Sequence, residues 1–153
     1  MRWRMLAAAL ALSSCGAPAD TASGEQAWFQ SSQAALPFHD GQSVSWLEHG
    51  RRELVTFRRE GQRGYTITSP NGRRNGRIEL LPILETPEED YILQTTTVSE
   101  DAALYSHQFV WLRSGEYAAS GYLDPRMSRA EAMRYYRAEL YPQAQSHART
   151  QPL

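Results

Sequence analysis

From residue 44 to residue 123 the chain runs in short apolar stretches separated by turn residues. Residues 53–59 (ELVTFRR), 65–69 (YTITS), 77–84 (RIELLPIL), 91–98 (YILQTTTV), 104–113 (LYSHQFVWLR) and 116–123 (EYAASGYL) are rich in β-branched and aromatic side chains. That composition, at that length, fits a pleated surface buried on at least one face. Gly61 and Gly64, Pro70-Asn71-Gly72, Asn75-Gly76, Thr86-Pro87 and Ser114-Gly115 punctuate the runs. Asn-Gly and Ser-Gly tolerate the positive φ angles of tight hairpins. A weaker strand covers 44–47. The pattern predicts a mainly β (α+β) fold, an antiparallel six- to seven-stranded meander curled into a small barrel or half-barrel that protects its edges.

Helical signals lie outside this region. Ser128-Arg129-Ala130-Glu131 has capping-box spacing, and Met133, Tyr136 and Leu140 follow at i, i+3 and i+7, with Pro142 as a stop. A C-terminal helix packed on the sheet is expected. Residues 27–35, with Trp28 and Phe29, are compatible with a second short helix but show no clear period. The remaining 143–153 are polar and read as a frayed tail.

The amino terminus carries the strongest signal. Arg2 and Arg4 precede an eight-residue apolar run, 5–12, too short for a membrane-spanning helix of roughly twenty residues. Leu12-Ser13-Ser14-Cys15 ends it: an aliphatic residue, two small ones and a cysteine. This resembles the lipobox of bacterial lipoproteins, and the resemblance covers residues 1–16. It implies that 1–14 are a signal peptide and that Cys15 carries diacylglycerol, with fatty acid such as palmitate on its amine. Two or three acyl chains anchor stably where one is marginal. Gly16 after the cysteine is compatible with delivery to the outer membrane. The competing reading is an ordinary A-x-A site at Ala17-Pro18-Ala19, releasing a soluble chain that starts at Asp20. Cys15 is the sole cysteine, so no intrachain disulfide forms. The organisation expected is signal peptide 1–14, lipidated flexible tether 15–26, one β-rich domain 27–142 and the tail 143–153.

Composition adds boundaries more than identity. The chain has 153 residues, 41% hydrophobic and 22% charged, with a net charge of -1. This supports one modest core and excludes a nucleic-acid binder driven by overall charge. All sixteen basic residues are Arg. Charge is nevertheless segregated. Residues 50–77 hold eight Arg against two acids, and 78–108 hold seven acids and no Arg. The loop carrying Arg73, Arg74 and Arg77 is a candidate anion-binding site, since Arg grips phosphate or carboxylate bidentately. The alternative is that neighbouring hairpins lay the two segments side by side and neutralise each other.

No catalytic motif emerges. His39, His49, His107 and His147 lack metal-ligand spacing, and a thiolate zinc site is excluded by the single cysteine. Glu85, Glu88, Glu89 and Asp90 lack the order of a calcium loop and read as a solvated turn. Neither a cofactor nor a metal is expected. Alternation places Tyr105, His107, Phe109 and Trp111 on one strand face, either as a core row or as the lining of a pocket inside the barrel. The functional expectation is a non-catalytic interaction module, lipid-anchored at the outer membrane and facing the periplasm, with an envelope protein, lipopolysaccharide or peptidoglycan as partner. The alternative is a carrier or sensor of a small apolar ligand.

Overall fold

Strand pairing in the computed structural model follows the chain order almost without exception. The structure describes residues 26–48, 50–73, 76–84, 89–113, 116–119 and 123–142. The strands are β1 (Gln42–Glu48), β2 (Arg51–Glu60), β3 (Gly64–Ser69), β4 (Gly72–Arg73), β5 (Arg77–Pro82), β6 (Asp90–Ser99), β7 (Ala102–Arg113) and β8 (Glu116–Ala119). They form one sheet in the order β2-β1-β8-β7-β6-β5-β3-β4, and an additional β2–β3 pairing curls it back on itself. The expected meander is present, with β4 as a two-residue addition on β3.

One pairing departs from a purely antiparallel sheet. β1 and β8 run parallel, Ser45 opposite Glu116 through Leu47 opposite Ala118. The cause is arithmetic: a meander of seven main strands reverses direction six times, so its first and last strands point the same way. Closing such a ring forces one parallel seam. The β3–β5 seam is the thinnest, registered at Tyr65 opposite Ile78.

Two apolar layers result. The inner one draws Val44, Trp46, Val55, Phe57, Tyr65, Ile67, Ile78, Leu80, Tyr91, Leu93 and Val110 from six strands, together with Phe38 from the preceding segment. Contributions from so many strands place it inside the barrel. Phe38 plugs this interior, stacked on Phe57 at 4.2 Å. Its N–H donates to the Tyr65 hydroxyl, which in turn donates to the Phe38 carbonyl, both at 3.0 Å.

The outer layer uses the opposite faces of β5, β6 and β7. Leu81, Ile83, Ile92, Phe109 and Trp111 meet Phe29 and Ala34 from the N-terminal segment and Leu123, Ala132, Tyr136 and Leu140 from the C-terminal one. The helix α1 (Arg129–Tyr135) starts at the expected capping box. Ser128 Oγ accepts from the Glu131 N–H at 3.2 Å, and the Ser128 N–H donates to Glu131 at 2.7 Å. It continues as a π-turn over Tyr136–Leu140, closed by the Tyr141 N–H on the Tyr136 carbonyl.

Residues 27–35 do not form the second helix. Only a 3-10 turn, Ser31–Gln33, interrupts an extended strap that bridges to the sheet at Ala35 opposite Leu80. The outward faces of β1, β2 and β3 differ sharply from this covered side. Ser43, Arg52, Arg58 and Thr68 are exposed there, and Leu54 is 57% exposed.

Candidate functional site

The strongest concentration of buried polar chemistry lies beneath the strap. On the outer face of β5–β7, Glu79, Asp90, Gln94 and His107 are all buried. Each is brought there by strand alternation, and adjacent strands align them: Gln94 sits opposite Glu79 on one side and opposite His107 on the other. Buried polar groups are tolerated when paired, and here the pairing is with the strap.

Gln94 is the hub. Its side-chain N–H donates to the Phe29 carbonyl at 3.4 Å, and its Oε1 accepts from the Trp28 N–H at 2.8 Å. The same Oε1 lies 2.9 Å from His107 Nε2. Because a carbonyl oxygen can only accept, Nε2 carries the ring proton and Nδ1 carries the lone pair. The Trp28 indole lies flat on the imidazole, with centroids 3.9 Å apart and planes 5° apart. His107 is 5% exposed, and burial pulls its ring down to about 4 from the usual 6.5. At neutral pH it is uncharged.

Further ties fix the rest of the strap. Ser31 Oγ donates to Glu79, whose other partner is the Arg77 guanidinium at 3.0 Å. Arg63 donates to the Ala34 carbonyl at 2.9 Å, and Arg129 of α1 to the Trp28 carbonyl at 3.3 Å. Arg59 donates to the Phe38 carbonyl at 3.1 Å. Side chains of neighbouring elements thus satisfy several backbone groups of this irregular segment.

The aromatic row of β7, read from the sequence as either a core row or a pocket lining, lies on the outer side of the sheet. Tyr105, His107, Phe109 and Trp111 face outward, away from the barrel interior. Trp28 covers His107, and Tyr136 covers Phe109 at 4.7 Å. The side chains thus form a covered row on the outer face rather than facing the barrel interior. Both faces of β6 and β7 are buried, so alternation marks which residues share a face but not which face is inside.

Of the three Arg-loop candidates, Arg77 is the one whose side chain is described. Arg77 belongs to the fold: it pairs with Glu79 and lies across the β2–β3 turn. A Cβ at Gly64 would come within 2.5 Å of its Nε and within 3.0 Å of its Cζ, so glycine there makes room for the guanidinium. Arg73 pairs opposite Thr68 through its backbone, whereas Arg74 and the lipid-attachment candidate Cys15 lie outside the described residues. Mutual neutralisation of the basic and acidic segments is confined by topology. β2 neighbours β1 and β3 rather than β6 or β7, and the Arg77–Glu79 pair that joins the two segments is made within β5, between residues two apart.

Asp90 corrects another expectation. The acidic run was read as a solvated turn; Glu89 is exposed, but Asp90 is 2% exposed and accepts from the Tyr136 hydroxyl. The alternating period of β6 could have signalled this, since Asp90 shares a face with Ile92 and Gln94. Sequence reasoning missed Gln94 and Glu79 as well, because neither belongs to a motif. His49 and the Glu85–Glu88 positions lie outside the described residues.

Among the described residues, no group of three or more His, Cys, Asp or Glu could hold a metal ion, and no helix is long and apolar enough to cross a membrane. The arrangement under the strap holds a proton and a chain segment in place. Comparison of the chain with protein-family models, with curated proteins and with solved structures finds no match.

Proposed function

We propose that this chain is a lipid-anchored protein of the bacterial envelope, held through Cys15 at the outer membrane, whose domain is a non-catalytic interaction module facing the periplasm. The observation that supports the module is the occupancy of both buried layers by the chain's own side chains. Phe38, Trp46, Phe57 and Tyr65 fill the barrel interior, each at most 1% exposed, and Trp28 and Tyr136 cover the outer row. What the domain offers a partner is its surface, above all the uncovered outward face of β1–β3. Support for the anchor is the lipobox at Leu12-Ser13-Ser14-Cys15.

The test has two arms. Cys15→Ala should move the protein out of the membrane fraction and remove the acyl mass from its amino terminus; an unmodified wild-type terminus at Asp20 would refute the anchor. Native mass spectrometry of the purified wild-type protein should show the mass of the acylated polypeptide with no further non-covalent adduct. A stoichiometric apolar adduct would replace the module with the carrier.

A further inference from the structure

The attachment of the strap runs through an imidazole ring. Residues 28–36 contain no charged side chain, so their hold depends on apolar burial of Phe29 and Ala34 and on borrowed hydrogen bonds. At the amino-terminal end of that hold, three groups depend on one another. Gln94 binds the backbone of Trp28 and Phe29, His107 fixes the orientation of Gln94, and Trp28 seals His107 from water.

We propose that the Trp28–Gln94–His107 junction is an acid-operated latch: protonation of His107 at Nδ1 releases the strap from the outer face of β5–β7 while the barrel stays folded.

The charged surroundings of the ring decide the sign. β7 carries no charged side chain from Ala102 to Leu112. From β5 come Arg77 and Glu79, which neutralise each other, and Glu79 also holds Ser31. From β6 comes Asp90, engaged with the Tyr136 hydroxyl, and from α1 comes Arg129, a cation bound to the Trp28 carbonyl. A proton on Nδ1 therefore creates a buried cation without a carboxylate devoted to it. Stacking on the indole returns part of the cost as a cation–π attraction. Burial sets the direction, pulling the ring down to about 4 from 6.5.

Opening the strap lets water reach the ring and restores an ordinary affinity for the proton. By linkage, acid favours the open form. The closed form holds fully above about 6.5 and gives way as pH falls towards 4. Within the apolar cluster that fills the barrel interior the ionisable side chains are Tyr65 and Tyr91, both of which burial pushes upward and so keeps neutral in acid, so this cluster does not share the response.

Hydrogen exchange on the full-length protein, corrected for the intrinsic pH dependence of exchange, tests the latch. Between pH 7 and pH 4.5, amides of residues 28–36 should lose at least tenfold protection while those of β2, β6 and β7 keep theirs. In His107→Gln, which retains a donor for Gln94 but cannot titrate, strap protection should stay flat over the same range. Three results would overturn the proposal: a wild-type strap indifferent to pH, a His107→Gln variant that follows the wild-type profile, or loss of strap and barrel protection together. Should His107→Gln fail to fold, NMR titration of the wild-type ring decides. A ring that titrates near 6.5, or whose strap amides do not change as it titrates, rejects the latch.

Discussion

The two apolar layers share the same three strands yet are built on different principles. The inner layer is packed from large side chains, and its principal polar device, the Tyr65 hydroxyl, is satisfied by the Phe38 backbone. The outer layer mixes Phe29, Ile92, Phe109 and Tyr136 with Glu79, Asp90, Gln94 and His107. Burial and the Tyr65–Phe38 bonds hold the first, whereas the second also needs particular protonation states. A β-strand buried on both faces can thus carry a constant core on one side and a condition-dependent one on the other.

The largest expected effect sharpens that contrast. Trp46→Ala or Phe57→Ala should cost about 3–5 kcal/mol, through lost transfer energy and the cavity left behind. The loss, read from denaturant midpoints, should be the same at pH 7 and pH 5. A strongly pH-dependent loss would mean that the interior is coupled to the outer polar groups after all.

Next in size is the pH dependence itself. His107 titrates at about 4 folded and 6.5 unfolded, so between those values the unfolded chain binds more protons and stability rises with pH. Two and a half units correspond to about 3 kcal/mol, present above pH 6.5 and lost by pH 4. Denaturation of wild type and His107→Gln across this range measures the difference. Parallel curves would remove His107 from the account.

A smaller effect addresses the helix that roofs the outer layer. Ser128→Ala removes one half of the capping box and should cost about 1 kcal/mol. If the roof matters as described, exchange should quicken in α1 and beneath Tyr136 before it does in β1–β3.

The smallest effect lies outside both layers. Glu100 and Asp101 connect β6 to β7 with φ of 46° and 68°, a two-residue turn of the type that Asn-Gly makes without strain. Replacing the pair by Asn-Gly should raise stability by about 0.5–1 kcal/mol. No gain in melting temperature would show that the unfolded chain's added freedom cancels the relief.

Much of the barrel was legible because turn chemistry and alternation agree. Ser114-Gly115 sits between Arg113 and Glu116, which pair directly, and Pro70-Asn71 links the paired Ser69 and Gly72. The Glu100-Asp101 hairpin was not legible, since neither residue advertises positive φ. Strand ends at 98 and 104 were expected where pairing continues to Ser99 and Ala102. The strap was harder still. Its conformation is set by groups 48 to 101 residues away, Glu79, Gln94 and Arg129, and no local pattern in 27–35 encodes that. For the same reason the aromatic row could be recognised but not oriented.

The strap also determines how a pull on the amino terminus reaches the barrel. Tension entering at residue 26 acts first on the Trp28–Gln94 contacts, then on Ser31–Glu79, then on the Ala34 and Ala35 bonds, one after another. Loaded this way the segment peels, and each step needs little force. Phe38 resists differently, since it must be drawn whole out of the barrel interior against Phe57 and its two bonds to Tyr65. Only after that does load reach β1, which is clamped on both sides by β2 and β8 and must slide past them in shear. Weak tugs are absorbed in the strap, and the barrel stays closed until they are strong enough to extract Phe38.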